Sequence, residues 1–158
     1  DAMTAMGVHY LEDSWSMLGR DIRIAGLDLA PCFYRKALYQ KVSSMPEGYM
    51  ERKLGRGPSA CKKEPFTILL AHSPLYFDSY ARWGADLTLA GHFHGGTIRI
   101  PGLGGVMTPQ YQFFLPWCAG DFERDGKRMI VSRGLGTHSI NIRFNNRPQL
   151  ASIRLKRA

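Results

Sequence analysis

Ala90-Gly91-His92-Phe93-His94-Gly95-Gly96 is the stretch from which the rest of the chain can be read. It continues Asp86-Leu87-Thr88-Leu89-Ala90, a run apolar enough and short enough for a buried strand. Two histidines one residue apart then stand between glycines. Neutral imidazole is the commonest metal-ligating side chain. Residues i and i+2 of a strand share a face, and glycine lets the backbone leave the strand and curl. Gly91, Gly95 and Gly96 therefore allow His92 and His94 to converge on one point or on two adjacent points.

Phe66-Thr67-Ile68-Leu69-Leu70-Ala71 is a second apolar run, and it ends in His72-Ser73-Pro74. Each run is a strand with a histidine at its carboxyl end, followed by a turn. Ligands of open α/β sheets gather outside the carboxyl ends of strands. His72, His92 and His94 are accordingly the candidate metal ligands. A single histidine after a strand is ordinarily a hydrogen-bonded surface or core residue. Gly-His-x-His-Gly-Gly paired with an upstream strand-His-Ser-Pro is a far rarer combination.

On these residues the chain resembles the C-terminal half of a calcineurin-like metallophosphoesterase. It is most similar to the bacterial branch whose last motif is Gly-His-Thr-His-Gly-Gly-Gln; here the motif reads Gly91-His92-Phe93-His94-Gly95-Gly96-Thr97. Ala71-His72-Ser73-Pro74 resembles the fourth family motif. Val131-Ser132-Arg133-Gly134-Leu135-Gly136-Thr137 and Ile142-Arg143-Phe144 extend the likeness, which runs from Gly19 to Leu155. Phe93 and Thr97 replace the usual Thr and Gln. The earlier family motifs, Asp-x-His, Gly-Asp-x-x-Asp and Gly-Asn-His-Asp/Glu, do not occur; Gly120-Asp121 continues as Phe122-Glu123-Arg124.

The resemblance implies half of a four-layer α-β-β-α sandwich, with the histidines on loops at one edge of the sheets. It implies residues 1–158 as a single domain, the C-terminal part of the phosphoesterase domain. It also implies a fragment, or one of two chains, with a missing N-terminal segment or a complementary chain bringing the carboxylate ligands. Two divalent ions (manganese, zinc or iron) would serve the complete protein, His72 and His92 binding one and His94 the other. Such a pair, about 3.5–4 Å apart, clamps an in-line displacement, polarises phosphoryl oxygens and acidifies a water. Borderline ions suit mixed imidazole and carboxylate ligands. A mononuclear site of three imidazoles, like that of catalytic zinc, is the alternative open to this chain alone. The substrate expected is a phosphomonoester, a phosphodiester or a nucleotide-sugar pyrophosphate, lipid-linked sugar nucleotides included.

Composition sets the outer limits. At 158 residues the chain is long enough for one domain with its own core. A hydrophobic content of 44% fits a globular class, and no run approaches the roughly 18 apolar residues of a membrane helix. No signal peptide is visible. Cys32, Cys61 and Cys118 are odd in number and widely spaced, which predicts free thiols rather than a disulfide frame or zinc knuckle. Location reads as cytoplasmic or peripherally membrane-associated. The net charge of +8 suits an anionic partner. It is dispersed over small clusters such as Arg52-Lys53, Lys62-Lys63 and Lys156-Arg157, which argues against nucleic acid. The competing class is a non-catalytic interaction or basic nucleic-acid-binding domain that keeps the fold.

Elsewhere the pattern predicts a helix end over Ala2–Met6, short strands at Gly7–Leu11 and Asp21–Leu27, and a helix over Pro31–Val42 with Phe33, Ala37 and Leu38 inward. Asp28 reads as a turn cap, and His9 and His138 as structural. Ser43–Cys61, with two prolines and three glycines, reads as loop. Leu75–Trp83 has helical spacing, its Leu75, Tyr76, Tyr80 and Trp83 forming a core face. A strand is expected at 97–100, then a glycine- and proline-rich loop over Pro101–Pro116. The apolar residues Met107, Tyr111, Phe113, Phe114, Leu115 and Trp117 read first as packing and second as an acyl-chain or partner surface. Lys127–Ser132 and Leu150–Leu155 are expected strands, with a hairpin turn at Asp125-Gly126. No repeat or second domain is evident.

Overall fold

The computed structural model describes residues 2–34, 44–59, 64–108, 113, 116–136 and 143–156. Six strands form the main sheet: β1 (Ser14–Leu18), β2 (Ile22–Leu27), β3 (Phe66–Ala71), β4 (Leu87–Ala90), β7 (Gly120–Arg124) and β8 (Lys127–Val131). Their order is β1-β2-β3-β4-β8-β7. The central four run parallel, and β1 and β7 are antiparallel edges. A separate ribbon pairs β5 (Ile98–Ile100) with β6 (Gly104–Met107). The helices among the described residues are α1 (Ala2–Ala5), α2 (Tyr49–Leu54) and α3 (Phe77–Trp83), with 3-10 turns at Pro31–Tyr34 and Pro74–Tyr76. The fold is mixed α/β, consistent with part of the layered sandwich that the resemblance implied.

Strand register divides the apolar residues between two faces. Ala25, Leu27, Leu69 and Ala71 fall on the first face and are buried beneath α2 and α3, against Met50, Leu54, Tyr76, Tyr80 and Trp83. Val131 and Met129 continue that face and pack with Phe77, Trp117 and Phe122. Long aromatic side chains bring polar tips into this core, and each tip finds a backbone carbonyl. Tyr80 Oη donates to Ser73 O at 2.9 Å, Tyr76 Oη to Phe33 O at 3.0 Å and Trp83 Nε1 to Gly55 O at 3.0 Å. The expected core face of α3 is thus observed. The second sheet face is also apolar, carrying Ile22, Ile24, Phe66, Ile68, Leu70, Leu87, Leu89 and Ile130. Among the described residues no helix packs on it, and Phe66 and Leu70 remain about two-fifths exposed, at 41% and 40%.

Asp86 locks the start of β4 into the sheet. Its carboxylate accepts from Thr67 N at 2.8 Å and from Lys127 Nζ at 2.6 Å, tying β3 and β8 to one side chain. The β7–β8 hairpin turns through Asp125 (φ 52°) and Gly126 (φ 71°), the doubly left-handed turn that Asp-Gly favours.

Five local expectations are corrected. Gly7–Leu11 is not a strand; the N-terminal strand is Ser14–Leu18, which pairs with β2 across the turn at Gly19. Its Ser-Trp-Ser-Met-Leu sequence lies half exposed at the sheet edge and alternates in the inverted sense, with Trp15 and Met17 outward and the serines inward. Within Ser43–Cys61, Tyr49–Leu54 is helical, because good helix formers stand between two left-handed glycines, Gly48 and Gly55, and bury Met50 and Leu54. Gly104–Met107 is a strand, not loop, pairing back on Ile98–Ile100. The helix expected over Pro31–Val42 begins as a 3-10 turn to Tyr34, and residues 35–43 lie outside the described ones. Leu150–Leu155 forms no strand. Its Ile153 and Leu155 lie beside Phe66, Leu87 and Ile130 on the second sheet face, where apolar side chains meet but no backbone edge offers pairing. Cys32 is an exposed free thiol, as expected; Cys118 is buried, and Cys61 lies outside the described residues.

The two faces predict different sensitivities. Leu69, fully buried on the first face, should lose about 2–5 kcal/mol on replacement with Ala. Leu70→Ala, on the second face, should shift the urea midpoint of this chain far less. Equal shifts would contradict the assignment of faces.

Candidate functional site

The four parallel strands end at one edge, and each is followed there by a polar loop. Asp28 follows β2, His72 follows β3, His92 and His94 follow β4, and Ser132-Arg133-Gly134 follow β8. β3 and β4 are neighbours in the sheet, so the loops that carry their histidines leave it from adjacent points. Gly91 N donates to His72 O at 3.2 Å and stitches the two turns together.

His72 Nε2 lies 2.9 Å from His92 Nδ1, with the rings edge to face at 4.7 Å between centroids. Tyr34, at the end of the 3-10 turn after β2, closes one side, its ring 5.8 Å from that of His72 and 5.3 Å from that of His92. Phe93, 1% exposed, anchors the turn from below. His72 is open to solvent on one side and desolvated on the other, which lowers its pKa and favours the neutral ring that a metal requires. Burial, reinforced by the Asp28 carboxylate, pushes the Tyr34 phenol up to about 12, so it keeps its proton.

His94 is placed differently. Its Nδ1 is 3.0 Å from Gly136 O in the loop after β8. Arg143 Nη2, which only donates, lies 3.4 Å from the same nitrogen and calls for a lone pair there, whereas the nearer Gly136 carbonyl only accepts and calls for Nδ1–H. Metal-ligating histidines are commonly oriented in this way, by donating the other ring N–H to a backbone carbonyl. Arg143 holds the same loop, donating from Nη2 to Arg133 O at 3.0 Å and also to Gly136 O.

The structure therefore brings His72 and His92 together and places His94 against the 133–136 loop. Among the described residues no group of three His, Cys, Asp or Glu side chains is placed to hold one metal ion. The residues present still fit a metal in part. Imidazole nitrogens bind such ions at about 2.0–2.1 Å, and two nitrogens 2.9 Å apart can both reach one ion at that distance. His9 is exposed; Asp28 N donates to Asp13 Oδ1 at 3.0 Å while the Asp28 carboxylate acts on Tyr34; His138 lies outside the described residues. Of the aromatic loop, Phe113 is 59% exposed and Trp117 packs on Phe77, while residues 109–112 and 114–115 lie outside the described ones. Tyr34, Arg143 and Asn146 touch the site without having been singled out from sequence. Their signal was weak: Tyr34 sat in an expected helix, and Arg143 carried only a supporting likeness.

The chain is 33% identical over 91 residues to the uncharacterized metallophosphoesterase YkuE of Bacillus subtilis (strain 168). The match covers 58% of this chain and 31% of that protein, so it spans about a third of the relative's length. No family model matches the chain, and no solved structure matches it.

Two glycines of the histidine turn should respond unequally. A Cβ on Gly95 (φ 76°) would stand 2.5 Å from Arg133 Cγ and 2.9 Å from Asn146 Oδ1, whereas one on Gly91 meets nothing nearer than Ser132 O at 4.0 Å. Gly95→Ala should destabilise the chain by about 1–3 kcal/mol and Gly91→Ala by much less, as read from chemical denaturation.

Proposed function

We propose that this chain carries the C-terminal part of the active site of a metal-dependent phosphohydrolase, with residues 1–158 belonging to a single metallophosphoesterase domain. One observation carries the reading: His72 and His92, at the carboxyl ends of adjacent parallel strands, face each other at 2.9 Å. The likeness to a protein named as a metallophosphoesterase supports it, and the Gly136 carbonyl 3.0 Å from His94 Nδ1, which leaves Nε2 as that ring's other nitrogen, supports a ligand role for His94.

In this reading His72 and His92 hold one divalent ion (manganese, zinc or iron) and His94 holds a second. Bound ions supply Lewis-acid polarisation of a phosphoryl oxygen and a water acidified toward neutral pH. The chain's own residues fix the imidazoles. Gly91 N ties the His72 turn, the Gly136 carbonyl orients His94, and Tyr34 walls the pair with a neutral phenol that keeps bulk water off one side. The substrate is a phosphate ester: a monoester, a diester or a nucleotide-sugar pyrophosphate. The acidic ligands come from a further segment of the protein or from a complementary chain. The partly exposed apolar side chains Phe66 and Leu70 on the second sheet face support this, because parallel sheets are normally covered on both sides. A cytoplasmic or peripherally membrane-associated location is part of the same proposal; no helix among the described residues is long and apolar enough to cross a membrane.

The test is hydrolysis of a chromogenic phosphodiester by the complete protein. Activity should vanish with a chelator, return with manganese or zinc, and fall by several orders of magnitude in His92→Ala and His94→Ala. Full activity in either variant would overturn the assignment. Metal-independent nucleic-acid binding that weakens steeply with salt would favour the binding-module reading instead.

A further inference from the structure

The turn from His92 to Gly96 holds a conformation that its own sequence does not favour. His92 and His94 take φ values of 69° and 50°, and Gly95 and Gly96 take 76° and 88°. Left-handed backbone at two side-chain-bearing residues is strained and persists only where the surroundings impose it. A turn of this kind leaves its carbonyl oxygens out of any strand ladder, and they need donors from elsewhere.

Gly91 O and Phe93 O are met within the turn, by Phe93 N and Gly96 N, but His94 O, Gly95 O and Gly96 O take their donors from side chains outside it. Asn146 Nδ2 donates to His94 O at 2.7 Å and to Gly96 O at 2.5 Å. Arg99 Nη1 donates to the carbonyl between them, Gly95 O, at 2.9 Å. Asn146 lies 52 residues beyond His94 in the chain and is 2% exposed. Its own backbone is fixed nearby, since Phe144 N donates to Thr97 O and Arg99 N to Phe144 O, at 2.9 and 3.1 Å. The amide oxygen tells the rest. Asn146 Oδ1 is buried without a hydrogen-bond partner, turned toward the space that a Cβ on Gly95 would fill. Both N–H donors of this buried amide are thus spent on the turn.

We infer that Asn146 is the positioning residue of the histidine turn: its amide, bridging His94 O and Gly96 O, sets the backbone that aims His92 at His72 and His94 at the loop after β8. Asp at this position would keep the shape, lose both donors and set a charge against two carbonyls. Ser would keep one donor on a shorter arm.

The experiment reads the imidazoles directly, by 15N–1H correlation of the histidine rings in the metal-free protein. Wild type should show fixed tautomers for His92 and His94. Asn146→Asp and Asn146→Ala should move those signals toward freely exchanging imidazole. Leu54→Ala, a core change in α2, should lower the unfolding midpoint and leave the ring signals in place, which separates positioning from general loss of stability. If Asp unfolds the chain, Asn146→Ser is read in the same way. Ring signals unchanged in the Asn146 variants, or moved equally by Leu54→Ala, would overturn the proposal. Zinc titration of the complete protein adds a second arm, which rests on the metal reading above. Affinity should fall about 10- to 100-fold on loss of Asn146, and equal affinity would overturn the proposal. If wild type binds no zinc while the Asn146 variants still disturb the rings, the metal reading fails and the positioning role stands.

Discussion

The parallel pairing of β3 with β4 is the constraint on which the rest of the structure depends. Ile68 sits opposite Leu87 and Leu70 opposite Leu89, so both strands finish at the same level of the sheet. Each chain then leaves the ladder with a histidine. Strand spacing and register, which hydrophobic burial enforces, thus place the two turns side by side, and the turn conformation then aims the imidazoles. A one-residue slip would turn every inward side chain outward, removing Leu69 and Ala71 from the core along with the histidine pair. Stability and site geometry are therefore properties of the same packing.

Around that frame the loops behave as adjustable parts held by long-range donors. The His94 turn is shaped by residues that arrive late in the chain: Arg143 on the loop after β8, Asn146 on the turn's own carbonyls. The Pro31–Tyr34 turn presents Tyr34 to the histidines, while Phe33 behind it packs edge-to-face with Tyr49 and Tyr76 in the core. Helix α3 fixes the other side, since Tyr80 holds the carbonyl of Ser73, the residue after His72. Each histidine is thus braced by an element distant in sequence, which is what a preorganised ligand set requires.

The α/β class and the strand-then-histidine placement were legible in the sequence because they rest on local signals: two apolar runs, glycines, and a hairpin Asp-Gly. What was not legible rests on long-range partners. Ser14–Leu18 becomes a strand only because β2 offers an edge. Tyr49–Leu54 becomes a helix because Met50 and Leu54 find the sheet. Leu150–Leu155 stays irregular because its apolar side chains meet a face rather than an edge. Asn146 is invisible in sequence for the same reason: an asparagine beside another in a polar tail carries no period, and its meaning comes from carbonyls 50 residues away. The second apolar face was likewise hidden, since a run such as Phe66–Ala71 reads as buried without saying what covers each side.

X-ray absorption at the metal edge of the complete protein tests the central claim most directly. If His72 and His92 share an ion, the spectrum will carry imidazole scattering at ligand distances of about 2.0–2.1 Å, and that signal will diminish in His72→Ala. A metal bound only by oxygen, or a spectrum unchanged by loss of His72, would contradict the account.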